Sequence, residues 1–149
     1  MPSNKRMVTK PDLKICTKCY EQLPYTPEFF GVNRSKKNTF GLLAQCKKCI
    51  ADGVRDYNRN YQRDLRKQVL TEYGPGKLAC VCCGDSHYEF LCLDHIKGGG
   101  GQERKTLSAL NLLYKLRRLG FPKGEHRTLC CNCHQSYTEH GYCPHTSGN

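Results

Sequence analysis

Four pairs of cysteines, each with two residues between its members, constrain this chain more than any other feature. The pairs are Cys16/Cys19, Cys46/Cys49, Cys80/Cys83 and Cys130/Cys133. Two such pairs brought together supply the four thiolates of a closed, tetrahedral zinc site. Their order favours combining the first pair with the second and the third pair with the fourth. The chain is therefore predicted to fold around two structural Zn²⁺ ions.

Composition explains why this chain needs metal. Only 38% of its 149 residues are hydrophobic, and it contains no tryptophan. Such a chain buries a thin core for its length. A structural zinc site contributes on the order of 10 kcal/mol of folding free energy, which offsets this shortage.

The choice between zinc and disulfides depends on the compartment. Residues 1–14 are polar and basic and lack the apolar segment of an export signal. No stretch approaches the ~18 apolar residues of a membrane span. We therefore expect a cytoplasmic protein without membrane association, whose reducing surroundings favour zinc ligands. A secreted, disulfide-bonded protein is the alternative.

The pattern along the chain predicts a small α+β protein of two zinc modules. Apolar residues recur at helical spacing from Ile50 to Val69, opposite a row of arginines, and Gly74-Pro75-Gly76 ends the helix. The predicted segments are a flexible basic tail (1–14), a zinc ribbon or knuckle with little regular structure (15–50), a linker helix and turn (51–76) and a second zinc module (77–149).

The second module has its own predicted order of elements. A short strand ends at Asp94-His95, and four glycines from Gly98 to Gly101 favour a mobile loop. A helix from Thr106 to Leu119 and a second strand at 127–129 follow. Asn132 is the predicted cap of a last, short helix that contains His134.

Asp94, His95 and His134 are the candidate catalytic residues. If the third and fourth cysteine pairs share one zinc ion, His134 comes close to the other two. A carboxylate and an imidazole are suitable ligands for a divalent cation, and a second, neutral imidazole can accept a proton from water. This combination is typical of metal-assisted phosphodiester hydrolysis.

Three short motifs follow one another in this half of the chain. They are Cys80-x-x-Cys83, Leu93-Asp94-His95-Ile96 and Leu129-Cys130-x-x-Cys133-His134. In this order they resemble the HNH endonuclease family, particularly its small phage-type members, over about residues 77–145. The N-terminal cysteine pairs resemble the zinc knuckle often found ahead of phage HNH and junction-resolving endonuclease domains. The chain departs from the family at Glu125, where the family often has an asparagine.

The resemblance implies a ββα-metal site of two short strands and a helix around one catalytic cation. It implies that His95 is the general base and that Asp94 and His134 are ligands of Mg²⁺ or Mn²⁺. The cation would stabilise the leaving 3′-oxygen, and the cysteine-bound zinc would do no chemistry. The implied function is a DNA endonuclease, in the host-cell cytoplasm if the chain is phage-encoded.

The charge is consistent with double-stranded DNA as the partner. Lys and Arg number 24 against 13 Asp and Glu, which gives a net charge of +11, and ten of the basic residues lie within residues 1–49. For the basic residues on the helices, the alternative is a solvated surface that does not contact DNA. The sequence leaves open whether the protein forms a homodimer. The candidate DNA-binding residues are Arg34, Lys36, Lys37, Arg55, Arg59, Arg117 and Arg118.

Other hypotheses remain at this point. A junction-resolving endonuclease shares the chemistry but prefers branched DNA, and a zinc-dependent nucleic-acid-binding regulator would not cut at all. Asp94-His95 would then be a structural pair, and His134 a zinc ligand or a residue of the first helical turn. Cys82, Cys92 and Cys131 are predicted to be small buried residues, although Cys82 and Cys131, which lie inside C-x2-C pairs, leave other registers of zinc ligation open. Cys143 and His145 are predicted to belong to a packed tail, with a further metal site as the alternative.

Zinc and disulfides make opposite predictions for chelators and reductants. We expect 1,10-phenanthroline or EDTA to abolish the cooperative thermal transition, and dithiothreitol to leave it unchanged, because thiolates bound to zinc need no oxidation. Circular dichroism during a thermal scan measures both effects. Unfolding by dithiothreitol alone, with no effect of the chelator, would contradict the zinc hypothesis.

Overall fold

The computed structural model describes residues 12–33 and 41–146. Within them the fold is α+β, with three small two-stranded antiparallel sheets and four α-helices. The strands are β1 (Leu13–Ile15), β2 (Gln22–Pro24), β3 (Phe30–Val32), β4 (Leu42–Cys46), β5 (Leu91–His95) and β6 (His126–Cys130). The helices are α1 (Lys47–Glu72), α2 (Gly100–Thr106), α3 (Ala109–Arg118) and α4 (Cys131–His140).

The chain divides into two compact units, Met1–Arg59 and Asn60–Asn149, with the division inside α1. In the first unit β1 pairs with β2 and β3 with β4. Four short strands thus replace the nearly irregular module expected from the sequence. Its core consists of cysteines and aromatic or aliphatic side chains, namely Cys16, Tyr25, Phe30, Leu42 and Cys46.

In the second unit β5 and β6 form an antiparallel pair that runs in register from Leu91 opposite Cys130 to His95 opposite His126. The backbone N–H of Ile96 donates to the carbonyl of Glu125 at 3.0 Å and extends this ladder by one bond. Glu125, at which the chain departs from the HNH family, contributes its backbone carbonyl to this bond and not its side chain. The core beside the sheet contains Leu70, Cys80, Leu91, Leu129, Cys130, Cys133 and Cys143.

The last turns of α1 are anchored to β6 by a buried threonine. Thr128 donates its hydroxyl to the carbonyl of Leu70 at 2.8 Å and its backbone N–H to the carbonyl of Tyr73 at 2.9 Å. The predicted apolar stripe of this helix is buried only toward its C-terminal end, at Leu65 and Val69. Tyr57, on the same stripe, is 69% exposed.

Two local predictions in the second unit are wrong, those for the glycine run and for the cap of the last helix. The glycine run does not remain a loop, because α2 begins at Gly100. The helix predicted over 106–119 is present as α3, which begins after Ser108, whose hydroxyl caps it. The cap of α4 is Cys130 and not Asn132: the Cys130 sulfur accepts from the backbone N–H of Cys133 at 3.5 Å. Asparagine is a preferred cap residue and cysteine is not, so the sequence does not indicate Cys130 as the cap.

Two further findings concern the cysteines and the membrane. Among the described residues, which include every cysteine of the chain, no disulfide is formed. None of the helices within 12–33 and 41–146 combines the length and apolar character that crossing a bilayer requires.

Candidate functional site

The first two cysteine pairs converge in the N-terminal unit. The ligand sulfurs of Cys16, Cys19, Cys46 and Cys49 all lie within 4.8 Å of one another. Cys16 follows β1, Cys46 ends β4, and Cys49 lies in the first turn of α1. These four residues could hold a structural zinc ion, as the sequence predicted.

The third and fourth pairs converge in the same way in the second unit. The sulfurs of Cys80, Cys83, Cys130 and Cys133 lie within 4.8 Å of one another, and those of Cys83 and Cys130 are 3.6 Å apart. Cys130 ends β6 and Cys133 lies in the first turn of α4. A zinc ion here would join the Cys80–Cys83 loop to the junction of the second strand and the helix.

The thiol pKa values show why these groups suit a cation. The backbone N–H groups of Cys19 and Cys46 lower the pKa of the Cys16 thiol to about 6. Burial opposes ionisation of Cys80, but backbone N–H groups, first that of Cys83, outweigh it and lower the Cys80 pKa to about 7. Burial and the neighbouring sulfurs raise the pKa of Cys49 to about 12. Only a central positive charge allows all four sulfurs of a group to ionise together.

A third group contains residues for which the sequence favours a buried or packing role. The ligand atoms of Cys82, Cys133, Cys143 and His145 also lie within 4.8 Å of one another. Cys133 therefore belongs to two groups at once. These four residues could hold a metal ion, which was the alternative to a buried, packing role for Cys82, Cys143 and His145.

Asp94 is a buried carboxylate with two partners. Its Oδ2 accepts from Nε of Arg127 at 2.7 Å, and its Oδ1 lies 3.3 Å from Nε2 of His134. Arg127 stands opposite Asp94 in the β5–β6 register, and its guanidinium also lies over the ring of Tyr137, 4.1 Å from the centroid. The structure thus brings the predicted residues Asp94 and His134 together and adds Arg127, which the sequence analysis assigned only to a strand.

His95 lies on the opposite side of β5 from Asp94, because successive strand residues alternate. Its Nε2 is 2.7 Å from a carboxylate oxygen of Glu103 on α2. An ionised carboxylate can only accept, so this bond assigns a proton to Nε2, and in the neutral form of His95 the lone pair is therefore on Nδ1. A side chain at Gly100 would come within 2.7 Å of that Nδ1, so only glycine permits this approach of α2.

His126 packs against His95, with ring centroids 4.6 Å apart. Burial, and then the charge that His95 carries when it is protonated, lower the pKa of His126 below its ordinary value. Neither of its nitrogens has a hydrogen-bond partner. His95, Glu103 and His126 form a further group whose atoms lie within 4.8 Å of one another and could hold a metal.

A cleft connects the two sides of the strand end. It has a volume of about 210 Å³, and Asp94, His95 and His134 all line it, together with the glycines of 98–101. His95 is the last residue of β5, and the chain turns immediately after it. The two faces therefore meet at the cleft, and the candidate catalytic residues border one space.

The candidate DNA-binding residues are distributed over both units. Arg34, Lys36 and Lys37 lie outside the described residues. Arg55 and Arg59 form exposed ion pairs with Asp52 and Asp56 at 3.4 and 3.9 Å. In the second unit Arg117 donates to the hydroxyl of Tyr61 at 3.0 Å, and Arg118 is exposed. Their role in DNA binding stays a prediction.

Comparisons with protein families, with curated proteins and with solved structures find no match to this chain.

The Asp94–Arg127 pair predicts a measurable coupling. We expect Arg127→Met to lower the free energy of unfolding by about 2 kcal/mol, because methionine retains the packing on Tyr137 but leaves a buried carboxylate without its donor. In a protein that already carries Asp94→Asn, Arg127→Met should lower the free energy of unfolding by at least about 1 kcal/mol less than it does in wild type. Urea denaturation of the zinc-loaded protein measures both. Arg118→Met, at an exposed site, is the control, and strictly additive effects would contradict the coupling.

Proposed function

We propose that the protein is a DNA endonuclease of the HNH type, which hydrolyses phosphodiester bonds with one divalent cation. The observation that carries the proposal is the 3.3 Å approach of Asp94 Oδ1 and His134 Nε2 at a cleft that the next residue, His95, also lines. Two antiparallel strands followed directly by a helix supply these residues, which agrees with the arrangement that the sequence resemblance implies.

The residues present suit Mg²⁺ or Mn²⁺. Adjacent ligands of an octahedral ion at about 2.1 Å stand about 3 Å apart, close to the separation of Asp94 Oδ1 and His134 Nε2. A buried carboxylate and an imidazole suit a hard to intermediate cation. Bound there, the cation would supply stabilisation of the negative charge that develops on the leaving 3′-oxygen.

His95 is the general base in this proposal. The bond to Glu103 keeps the proton on Nε2, so Nδ1 can take a proton from water as the water oxygen attacks phosphorus. A bond forms between that oxygen and phosphorus, and the bond from phosphorus to the 3′-oxygen breaks with its electron pair on the oxygen. The 3′-oxygen takes a proton from a solvent water, so the products are a 5′-phosphate and a 3′-hydroxyl. The acceptor atom Nδ1 lies beside Gly100, which lines the same cleft.

Arg127 is a positioning residue in this proposal. By holding Oδ2 of Asp94 it orients the other oxygen, Oδ1, toward His134. The four-cysteine groups have a structural part only. The group of Cys80, Cys83, Cys130 and Cys133 could hold zinc at the junction of β6 and α4, one residue before His134. Double-stranded DNA is the proposed substrate, with the net charge of +11 supplying affinity for the phosphate backbone.

Plasmid cleavage tests the proposal. We expect zinc-loaded protein to nick or linearise supercoiled DNA only with added Mg²⁺ or Mn²⁺. His95→Ala should lower the rate by about 10²- to 10⁴-fold, the range for loss of a general base. His134→Ala should be similarly impaired, and its cleavage should require more metal. His140→Ala, which removes an exposed histidine from the same helix, is the matched control and should cut normally.

The same assay distinguishes the alternatives. Faster cleavage of a four-way junction than of linear duplex would identify a junction-resolving endonuclease with the same chemistry. If neither wild type nor His95→Ala cuts with any metal, yet both bind DNA with a strong dependence on salt, the protein is a binding module and the nuclease proposal is wrong. Cleavage by His95→Ala at the wild-type rate would remove His95 from the mechanism.

Glu103 gives a separate prediction, because it acts through His95. We expect Glu103→Ala to lower kcat about tenfold, as expected for the loss of one charge-assisted hydrogen bond, with KM for DNA unchanged. Glu103→Gln, whose amide oxygen can still accept from Nε2, should fall between this variant and wild type. The exposed Glu89→Ala is the control, and a raised KM with normal kcat would contradict a role in positioning the base.

A further inference from the structure

We propose that the C-terminal unit holds two zinc ions and not one, with the thiolate of Cys133 bridging them. The first ion would be bound by Cys80, Cys83, Cys130 and Cys133, and the second by Cys133, Cys82, Cys143 and His145. Each set of ligand atoms lies within 4.8 Å, and Cys133 is common to both. The inference concerns folding and does not depend on the proposed nuclease activity.

Two nitrogen–sulfur separations in the second set match those of a tetrahedral zinc site. Nδ1 of His145 is 3.4 Å from the sulfur of Cys133 and 3.3 Å from that of Cys143. In a tetrahedron with Zn–S of about 2.3 Å and Zn–N of about 2.0–2.1 Å, the sulfur and nitrogen ligands stand about 3.6 Å apart. The two observed separations are therefore close to those of zinc ligands.

A metal ion explains this convergence better than hydrogen bonding does. Two sulfurs face the same nitrogen, and a single proton on Nδ1 would have to be shared between them in a bifurcated bond. A zinc ion between them would satisfy all three atoms. The donor types agree with this, because three cysteines and one histidine form a common structural zinc set.

The bridge follows from the position of Cys133. Its side chain is fully buried in the first turn of α4, between the two sets, and Cys143 is 1% exposed. With a single zinc ion, the sulfurs of Cys82 and Cys143 would remain as thiols beside a zinc-bound thiolate. A second ion converts them into ligands and leaves the cluster with the same net negative charge as one zinc ion with four thiolates.

The second ion would attach the end of the chain to the helix that carries His134. Cys143 and His145 flank Pro144, the first residue of a 3-10 turn, Pro144–Thr146, that follows α4 and its C-cap Gly141. Both ions would then contact the first turn of α4, which begins at Cys131 and holds His134 next to the bridging residue. The position of His134 would be defined by two metal ions.

Counting zinc tests the inference. Native mass spectrometry of the full chain, purified with zinc and dialysed against a weak chelator, should give three zinc ions per chain, one of them in the N-terminal unit. His145→Ala, which changes an exposed side chain, should retain two, and His140→Ala should retain three. Cys143→Ala should also retain two and Cys131→Ala three, which provides a second matched pair.

The bridge itself needs a second measurement. In protein loaded with ¹¹³Cd, we expect three resonances, two of which are split by coupling through the shared sulfur, and His145→Ala should abolish the splitting. Two zinc ions in wild type would overturn the proposal, whether or not His145→Ala loses one. Three resonances without splitting would show that the second site does not share Cys133.

Discussion

The repulsion between crowded cysteine sulfurs is the constraint on which the rest of this structure depends. In the second unit the sulfurs of Cys83 and Cys130 are 3.6 Å apart, and burial raises the pKa of Cys133 above its ordinary value. These side chains stay together as thiolates only if a cation neutralises them. Cys130 is the last residue of β6 and Cys133 lies in the first turn of α4. The cation would therefore determine where the strand ends and the helix begins.

The candidate active site depends on that junction. His134 follows Cys133 directly, and the hairpin register sets Arg127 opposite Asp94. One side of β5 thus presents a carboxylate held by an arginine and approached by a histidine. The other side presents His95, held by Glu103 and packed on His126. These two arrangements differ chemically, since Asp94 Oδ1 and His134 Nε2 in the first could ligate a cation, whereas the bond to Glu103 in the second fixes the tautomer of neutral His95.

The sequence predicted those parts of the fold that depend on short, strong patterns. The C-x2-C spacing predicted both four-cysteine groups, and helical periodicity predicted α1, which begins at Lys47. The third group remained only an alternative in the sequence, because Cys82 lies within a C-x2-C pair and His145 follows it by 63 residues, so only the folded chain shows their proximity. Glu103 was missed because consecutive glycines indicate a loop, whereas tertiary packing begins α2 within that run. Arg127 lies in the second predicted strand of this unit, and a pairing of the two strands could have placed it near Asp94. The residue opposite it depends on the register of that pairing, which cannot be read from the sequence without the turn geometry.

The central claim is that the catalytic cation lies between Asp94 and His134 and leaves His95 free to act as a base. Anomalous diffraction from crystals of the zinc-loaded protein soaked in Mn²⁺ tests this most directly, because manganese and zinc are distinguished by their absorption edges. The account predicts a manganese peak within bonding distance of Asp94 Oδ1 and His134 Nε2. A manganese peak among His95, Glu103 and His126 instead would make His95 a ligand and contradict the account.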